Sequence, residues 1–163
     1  RSEFSFKYPP LGANAEMLDR IKKTTSVILH VRRGDYVEDN AISARFGTPS
    51  LAYYARAVAR ICGAIANPHL YVFSDDPAWA KQNLSFGVPT CFVSHNGPEN
   101  DSEDLRLMSS CKHHITANSS FSWWGAWLGL EPGKIVIVPD PWFADPKWNP
   151  RDIVPDGWIR LPS

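Results

Sequence analysis

Apolar residues occur along this chain in two kinds of segment. The first is short and continuous: "SVILHV" at 26–31, "HLYVFS" at 69–74 and "TCFV" at 90–93 are rich in β-branched and aromatic residues, the pattern of strands buried on both faces. Shorter runs at 114–117 and 134–138 read as a fourth and a fifth strand. The second kind recurs every three to four residues and predicts helices over 14–23, 51–62, 77–84, 103–111 and 119–130. Within 51–62, Leu51, Tyr54, Ala55, Val58 and Ile61 share one face, with Pro49-Ser50 as the start and Gly63 as the stop. Asn14 is the expected N-cap of the first helix, and Asp76-Pro77 supplies an N-cap and first-turn pair for the third. Residues 4–8 read as an extended lead-in.

Strands that alternate with helices and are apolar throughout belong in a parallel sheet covered on both faces. The expected fold class is therefore α/β, a Rossmann-like parallel sheet with helices on both faces. Its expected organisation is a lead-in segment and helix over residues 1–25, the Rossmann-like domain over 26–138, and a tail over 139–163. That tail, "PDPWFADPKWNPRDIVPDGW" in its greater part, is rich in Pro, Trp and Asp and suits an ordered wrap over the surface. No internal repeat is present.

Composition narrows the function. At 163 residues, 44% hydrophobic and 21% charged, the chain excludes a disordered or low-complexity protein. Lys plus Arg and Asp plus Glu are each 17, a net charge of zero, so no broad basic face for nucleic acid or anionic membrane is expected and any anion site must be local. No apolar run approaches the ~18 residues of a membrane span, and the start has no signal-peptide pattern. The chain lacks an initiating Met and is expected to be a piece of something longer. Cys62, Cys91 and Cys111 have no CxxC spacing and read as buried free thiols of a reducing compartment. Triplets at Asn83, Asn100 and Asn118 match the glycosylation pattern but arise readily by chance.

Ligands of an open parallel sheet settle beyond the carboxyl ends of its strands. The first such loop, His30-Val31-Arg32-Arg33-Gly34-Asp35-Tyr36, is the richest. A guanidinium offers paired donors to a diphosphate. Adjacent side chains diverge, so one arginine is expected to meet phosphate while the other pairs with a supporting carboxylate. The tripeptide Arg33-Gly34-Asp35 abuts a buried strand, which argues against an adhesion loop. Paired acids such as Asp75 and Asp76 can hold a divalent metal beside a nucleotide diphosphate. Asp76, however, is the natural cap of the next helix, which leaves too few ligands, so no metal is expected. After the fourth strand, Asn118-Ser119-Ser120 places hydroxyls at a helix start, where free N–H groups and the positive dipole end suit phosphate; plain capping would need one Ser. Trp123, Trp124, Trp127 and Leu128 cover more than one helical face and read as core before sugar platform. Asp104 reads either as a helix-dipole acid or as a carboxylate accepting both N–H groups of a guanine edge.

"HVRRGDY" at 30–36, "YVFSDDPAWAKQNL" at 71–84, "DLRLMSSCKHHITANSSFSWWGAWL" at 104–128 and "RDIVPDGW" at 151–158 together resemble the family-11 glycosyltransferases, the α-1,2-fucosyltransferases of bacterial type. The resemblance runs through nearly all of the chain, and the 118–128 segment is its most specific part. It implies the C-terminal, donor-binding half of a GT-B enzyme, with residues 26–138 as the GDP-fucose-binding domain. L-Fucose would pass with inversion from GDP-β-L-fucose to the 2-hydroxyl of a galactose-terminated glycan acceptor, with no cofactor or metal. By motif position, Arg32 would take the β-phosphate, His30 and Asp104 would hold guanine, and Ser119 and Ser120 would cap the pyrophosphate. Arg33 and Asn118 fall in the same set; Asp75 or Asp76 would support the site, and Tyr53 or Tyr54 would line it. The family's glycine-rich "GGLGNQ" segment and acceptor-side N-terminal domain are absent from these residues. That domain of the same enzyme would be the partner, and the enzyme would be cytoplasmic, peripheral on the inner face of the bacterial membrane.

The base for the acceptor hydroxyl is sought among Asp35, Glu38 and Asp39, with Asp35 preferred; Asp35 is alternatively a salt-bridge partner of Arg33. Two other classes stay open: a nucleotide- or glycan-binding module without turnover, and a metal-dependent transferase using another nucleotide sugar through Asp75 and Asp76.

Overall fold

The continuous apolar runs become the centre of a parallel sheet. The computed structural model describes residues 4–163. In chain order its elements are α1 (Gly12–Lys23), β1 (Thr25–Val31), α2 (Gly34–Glu38), α3 (Asn40–Phe46), α4 (Leu51–Cys62), β2 (Pro68–Ser74) and α5 (Pro77–Asn83). Then follow β3 (Thr90–Val93), α6 (Asp101–Ser110), β4 (His113–Ile115), α7 (Ser120–Leu128), β5 (Val136–Asp140) and β6 (Ile159–Pro162). The sheet order is β3-β2-β1-β4-β5-β6, every pairing parallel. This is the Rossmann order, and the strand sequence reverses direction between β1 and β4, where ligands of such sheets bind.

Alternation along the central strands sorts the core into two layers. Val27, Leu29, Val31, Leu70 and Val72 pack under Tyr53, Tyr54, Ala57, Val58 and Ile61 of α4. Ile28, Tyr71 and Phe73 face the other way, onto Met17 and Ile21 of α1 and Leu107 and Met108 of α6. His30 shares the parity of Ile28, which carries it toward the α6 side at the end of β1. Helices α6 and α7 approach so closely at Gly125 that a Cβ there would lie 2.9 Å from Met108 Cβ.

Several details differ from the sequence reading. The sheet has a sixth strand, β6, within the Pro-rich tail. Its burial alternates along an edge position, so it lacks the continuous apolar run that marks the central strands. Helices α2 and α3 were not expected, since 34–46 carries no long apolar period; Asp39 starts α3 by accepting from the N–H groups of Ala41 and Ile42. Leu11, not Asn14, precedes the first helix, and the Asn14 side chain points instead to Asn96. The inner face of α4 is Tyr53, Tyr54, Ala57, Val58 and Ile61, leaving Leu51 exposed. Cys62 is also exposed, whereas Cys111 is buried.

In the tail, Trp142 and Val154 join Ala126, Val136 and Val138 in a third cluster, flanked by Trp123 and Trp158. Trp123 Nε1 donates to the Ile153 carbonyl at 2.6 Å, placing that ring in the core; Trp124 is 37% exposed. Among the described residues no helix is long and apolar enough to cross a membrane.

Candidate functional site

A cavity of about 440 Å³ opens at the carboxyl ends of β1, β2 and β3, with His30, Arg32, Asp75, Asn96, Asp104 and Phe121 in its wall. His30 is 4% exposed, and among the described residues its Nδ1 has no hydrogen-bond partner. Burial first, then the charge of Arg32, pushes its pKa down to about 3, so the imidazole is neutral near pH 7. A neutral ring offers one donor and one acceptor to a ligand.

The two arginines diverge as their adjacency requires. Arg33 turns away from the cavity to stack on Trp79, its guanidinium carbon 3.9 Å from the ring centre, with Nε 3.8 Å from Asp76 Oδ2. Arg32 lines the cavity, Nη2 2.8 Å from Asp35 Oδ1 and Nε 3.3 Å from Asp75 Oδ2. Asp35 is thus paired with Arg32, not with Arg33. Asp75 also accepts the Arg33 backbone N–H at 2.9 Å. The chain can pass this close because residue 34 is glycine: a Cβ there would meet Asp75 Oδ2 at 2.8 Å. Asp76 caps α5 through the Trp79 N–H at 3.0 Å, as its place before Pro77 predicts. Among the described residues no cluster of three or more His, Cys, Asp or Glu could hold a metal ion.

Asp104 stands in the first turn of α6 and is partly buried. Burial raises its pKa, while a hydrogen bond from Asn96 Nδ2 at 2.7 Å opposes that rise. Asn96 and its neighbours were missed in the sequence. The rule that directs attention to strand ends applies equally to Ser94-His95-Asn96 after β3, but those three residues include no acid or arginine to mark them.

Asn118, Ser119 and Ser120 are not in the wall of this cavity. Buried Asn118 donates through Nδ2 to the carbonyls of Phe46 at 2.7 Å and of Gly47 and Trp142 at 3.2 Å, tying the α3 end to the tail. Ser119 is the buried N-cap of α7 without a side-chain capping bond. Ser120 faces a second cavity of about 600 Å³ bordered by Tyr36, Arg45, Phe46, Trp142 and Trp148. Phe121 lines the first cavity, so the first turn of α7 forms the ridge between the two.

Tyr53 and Tyr54 do not line either cavity. Both are buried in the α4 layer, donating to the carbonyls of Thr116 at 2.7 Å and His30 at 3.2 Å, where they brace the ends of β4 and β1. Asp39 is engaged as the α3 cap, and Glu38 is exposed at the end of α2.

Comparison with known proteins covers most of the chain. The family model described as glycosyl transferase family 11 matches residues 12–162. An alpha-1,2-colitosyltransferase of Escherichia coli is 37% identical over 161 residues, 94% of this chain and 54% of that protein. The O-antigen biosynthesis glycosyltransferase WbnK of Escherichia coli is 41% identical over 139 residues, 85% of this chain and 44% of that protein. Galactoside alpha-(1,2)-fucosyltransferase 2 of Mus musculus is 29% identical over 106 residues, 64% and 30% of the two chains. The chain spans about half the length of the two bacterial relatives. No solved structure matches it significantly.

Proposed function

Because this chain belongs to glycosyl transferase family 11, we propose that it forms the nucleotide-donor half of an inverting α-1,2-fucosyltransferase. It would pass L-fucose from GDP-β-L-fucose to the 2-hydroxyl of a galactoside. The observation that carries this reading is the meeting of three unlike groups in one cavity: neutral, buried His30, the Arg32 guanidinium and the partly buried Asp104 carboxylate. A carboxylate and an uncharged imidazole suit a guanine edge. The arginine suits the diphosphate.

Departure of GDP places negative charge on the β-phosphate while the sugar gains oxocarbenium character. The Arg32 fork opposes that charge most strongly in the transition state, and the α7 start at Ser119 and Ser120 adds backbone N–H groups at the ridge. Once the diphosphate takes Arg32, Asp35 loses its ion-pair partner and becomes the base for the acceptor hydroxyl. The cationic work falls to Arg32, so transfer needs no metal; Asp75 and Asp76 are already engaged with the Arg33 N–H and the α5 cap. The acceptor platform and the closing glycine-rich segment belong to the rest of the enzyme, which works in the cytoplasm, peripheral on the inner membrane face. A second reading replaces the fucosyl with a colitosyl donor, favoured by the 37% identical colitosyltransferase.

Calorimetry with GDP, ADP and pyrophosphate, beside transfer from fucosyl and colitosyl donors to a galactoside, tests this. The 163-residue chain should bind GDP weakly without turnover, and the whole protein should bind it tightly and transfer. GDP held no better than ADP would refute the donor assignment, and efficient transfer by the 163-residue chain would refute a site shared between two halves.

A further inference from the structure

Asp104 enters the cavity with its two oxygens in different situations. Oδ1 accepts from Asn96 Nδ2, whereas among the described residues nothing bonds to Oδ2. Asn96 is itself held. Its Nδ2 also donates to Asn14 Oδ1 at 2.9 Å, and its Oδ1 accepts from Asn14 Nδ2 at 2.8 Å, a reciprocal amide pair between α1 and the loop after β3. Asn14 Oδ1 lies a further 2.8 Å from His95 Nε2. Both hydrogens of the Asn96 amide are therefore committed. Turned over, that amide would set its carbonyl oxygen against the Asp104 carboxylate, leaving two acceptors facing each other without a proton between them. The pair has one favourable orientation, and that orientation aims an N–H at Asp104.

The terminal torsion of an aspartate is broad, so its carboxylate plane is set by what bonds to it. We propose that Asn96 and Asn14 are positioning residues for base recognition: the amide pair fixes the plane of the Asp104 carboxylate toward the cavity, selecting a nucleobase with two adjacent N–H donors, as guanine has. This rests on the reading of the cavity as a guanine-nucleotide site. Hypoxanthine keeps one of the two donors. Adenine presents a donor beside an acceptor, so one carboxylate oxygen would face a lone pair. The Asn96 donor also favours the ionised carboxylate over the protonated one, the form that can accept from both N–H groups. The other titratable or charged groups around Asp104 are Asp101 on the same helix, His95 on the loop, and His30, Arg32 and Asp75 across the cavity. From α1 and α7 come the uncharged Asn14 and Phe121.

The test is calorimetry on the whole protein with GDP, IDP, ADP and pyrophosphate between pH 5 and 8, for the unaltered chain, Asn96→Ala and Asn14→Ala. The unaltered chain should rank GDP above IDP and IDP above ADP. Asn96→Ala should lower GDP affinity about tenfold, bring the GDP-to-IDP ratio toward one, leave pyrophosphate unchanged, and lose GDP at a higher pH on acidification. Asn14 is not in the cavity wall, so Asn14→Ala should move the same ratio by a smaller factor, through its bonded neighbours Asn96 and His95. Should Asn96→Ala fail to fold, Asn14→Ala reads the same quantity. Equal losses for GDP and pyrophosphate, or an unmoved ratio and pH profile, would overturn the positioning role while leaving the guanine site standing. An unaltered chain that fails to separate GDP from ADP would overturn the guanine site itself.

Discussion

Acidification should destabilise this protein before most of its carboxylates titrate, because two of its histidines are buried uncharged. His30 lies at the end of β1 beside Arg32. His114 lies on β4 with Nε2 3.2 Å from the Met108 carbonyl and Lys134 and His113 nearby. Desolvation by burial is the main cause in both cases, and each pKa falls from 6.5 to about 3. Between those values the unfolded chain binds protons that the native state refuses. The stabilisation is therefore complete above 6.5 and is lost as pH falls toward 3. Each site contributes about 1.4 kcal/mol per pH unit once fully in that window, or about 2 kcal/mol between pH 7 and pH 5. The two together amount to about 4 kcal/mol, a large part of the 5–15 kcal/mol of a typical domain. His69 and His113 shift in the same direction. The raised pKa of Asp104 acts oppositely, since its protonated form is favoured in the native state. Urea unfolding followed by tryptophan fluorescence at pH 7, 6 and 5 reads the effect, as a midpoint fall of roughly 2 M for an m value near 2 kcal/mol/M. His114→Gln keeps a side-chain donor for the Met108 carbonyl and should remove about half of the pH dependence. A midpoint unchanged between pH 7 and 5, or an equal pH dependence in His114→Gln, would refute the reasoning.

Three further outcomes are expected. Arg32→Lys should weaken pyrophosphate at least tenfold and abolish transfer in the whole enzyme, since one ammonium cannot reproduce a forked contact; near-normal turnover would remove Arg32 from the phosphate. Arg33→Lys should lower stability by about 1 kcal/mol through the lost stack on Trp79, seen as a shifted urea midpoint, and binding loss at unchanged stability would place Arg33 on the ligand instead. Transfer should proceed at full rate in EDTA, and activity that disappears and returns with Mn²⁺ or Mg²⁺ would move Asp75 and Asp76 to a metal site.

The sequence by itself determined the layers of the sheet and the loop after β1 that lends Arg32 to the cavity wall. A strand buried on both faces must be continuously apolar, so 26–31, 69–74 and 90–93 were legible, and the Rossmann-like class followed from their alternation with helices. Asp76 before Pro77 declared itself a cap, and adjacency alone required Arg32 and Arg33 to part. What depended on neighbours distant in sequence was decided only by the tertiary structure. Strand β6 is an edge strand whose pairing with β5, not its own composition, makes it a strand. The α4 inner face moved because Tyr53 reaches the Thr116 carbonyl across 63 positions, enclosing a tyrosine that motif position had placed at the ligand. The Asn14–Asn96–Asp104 chain joins α1, a loop and α6 across as many as 82 positions. Neutral amides carry no charge or spacing signal, and only the packing of those three elements brings them within hydrogen-bond distance.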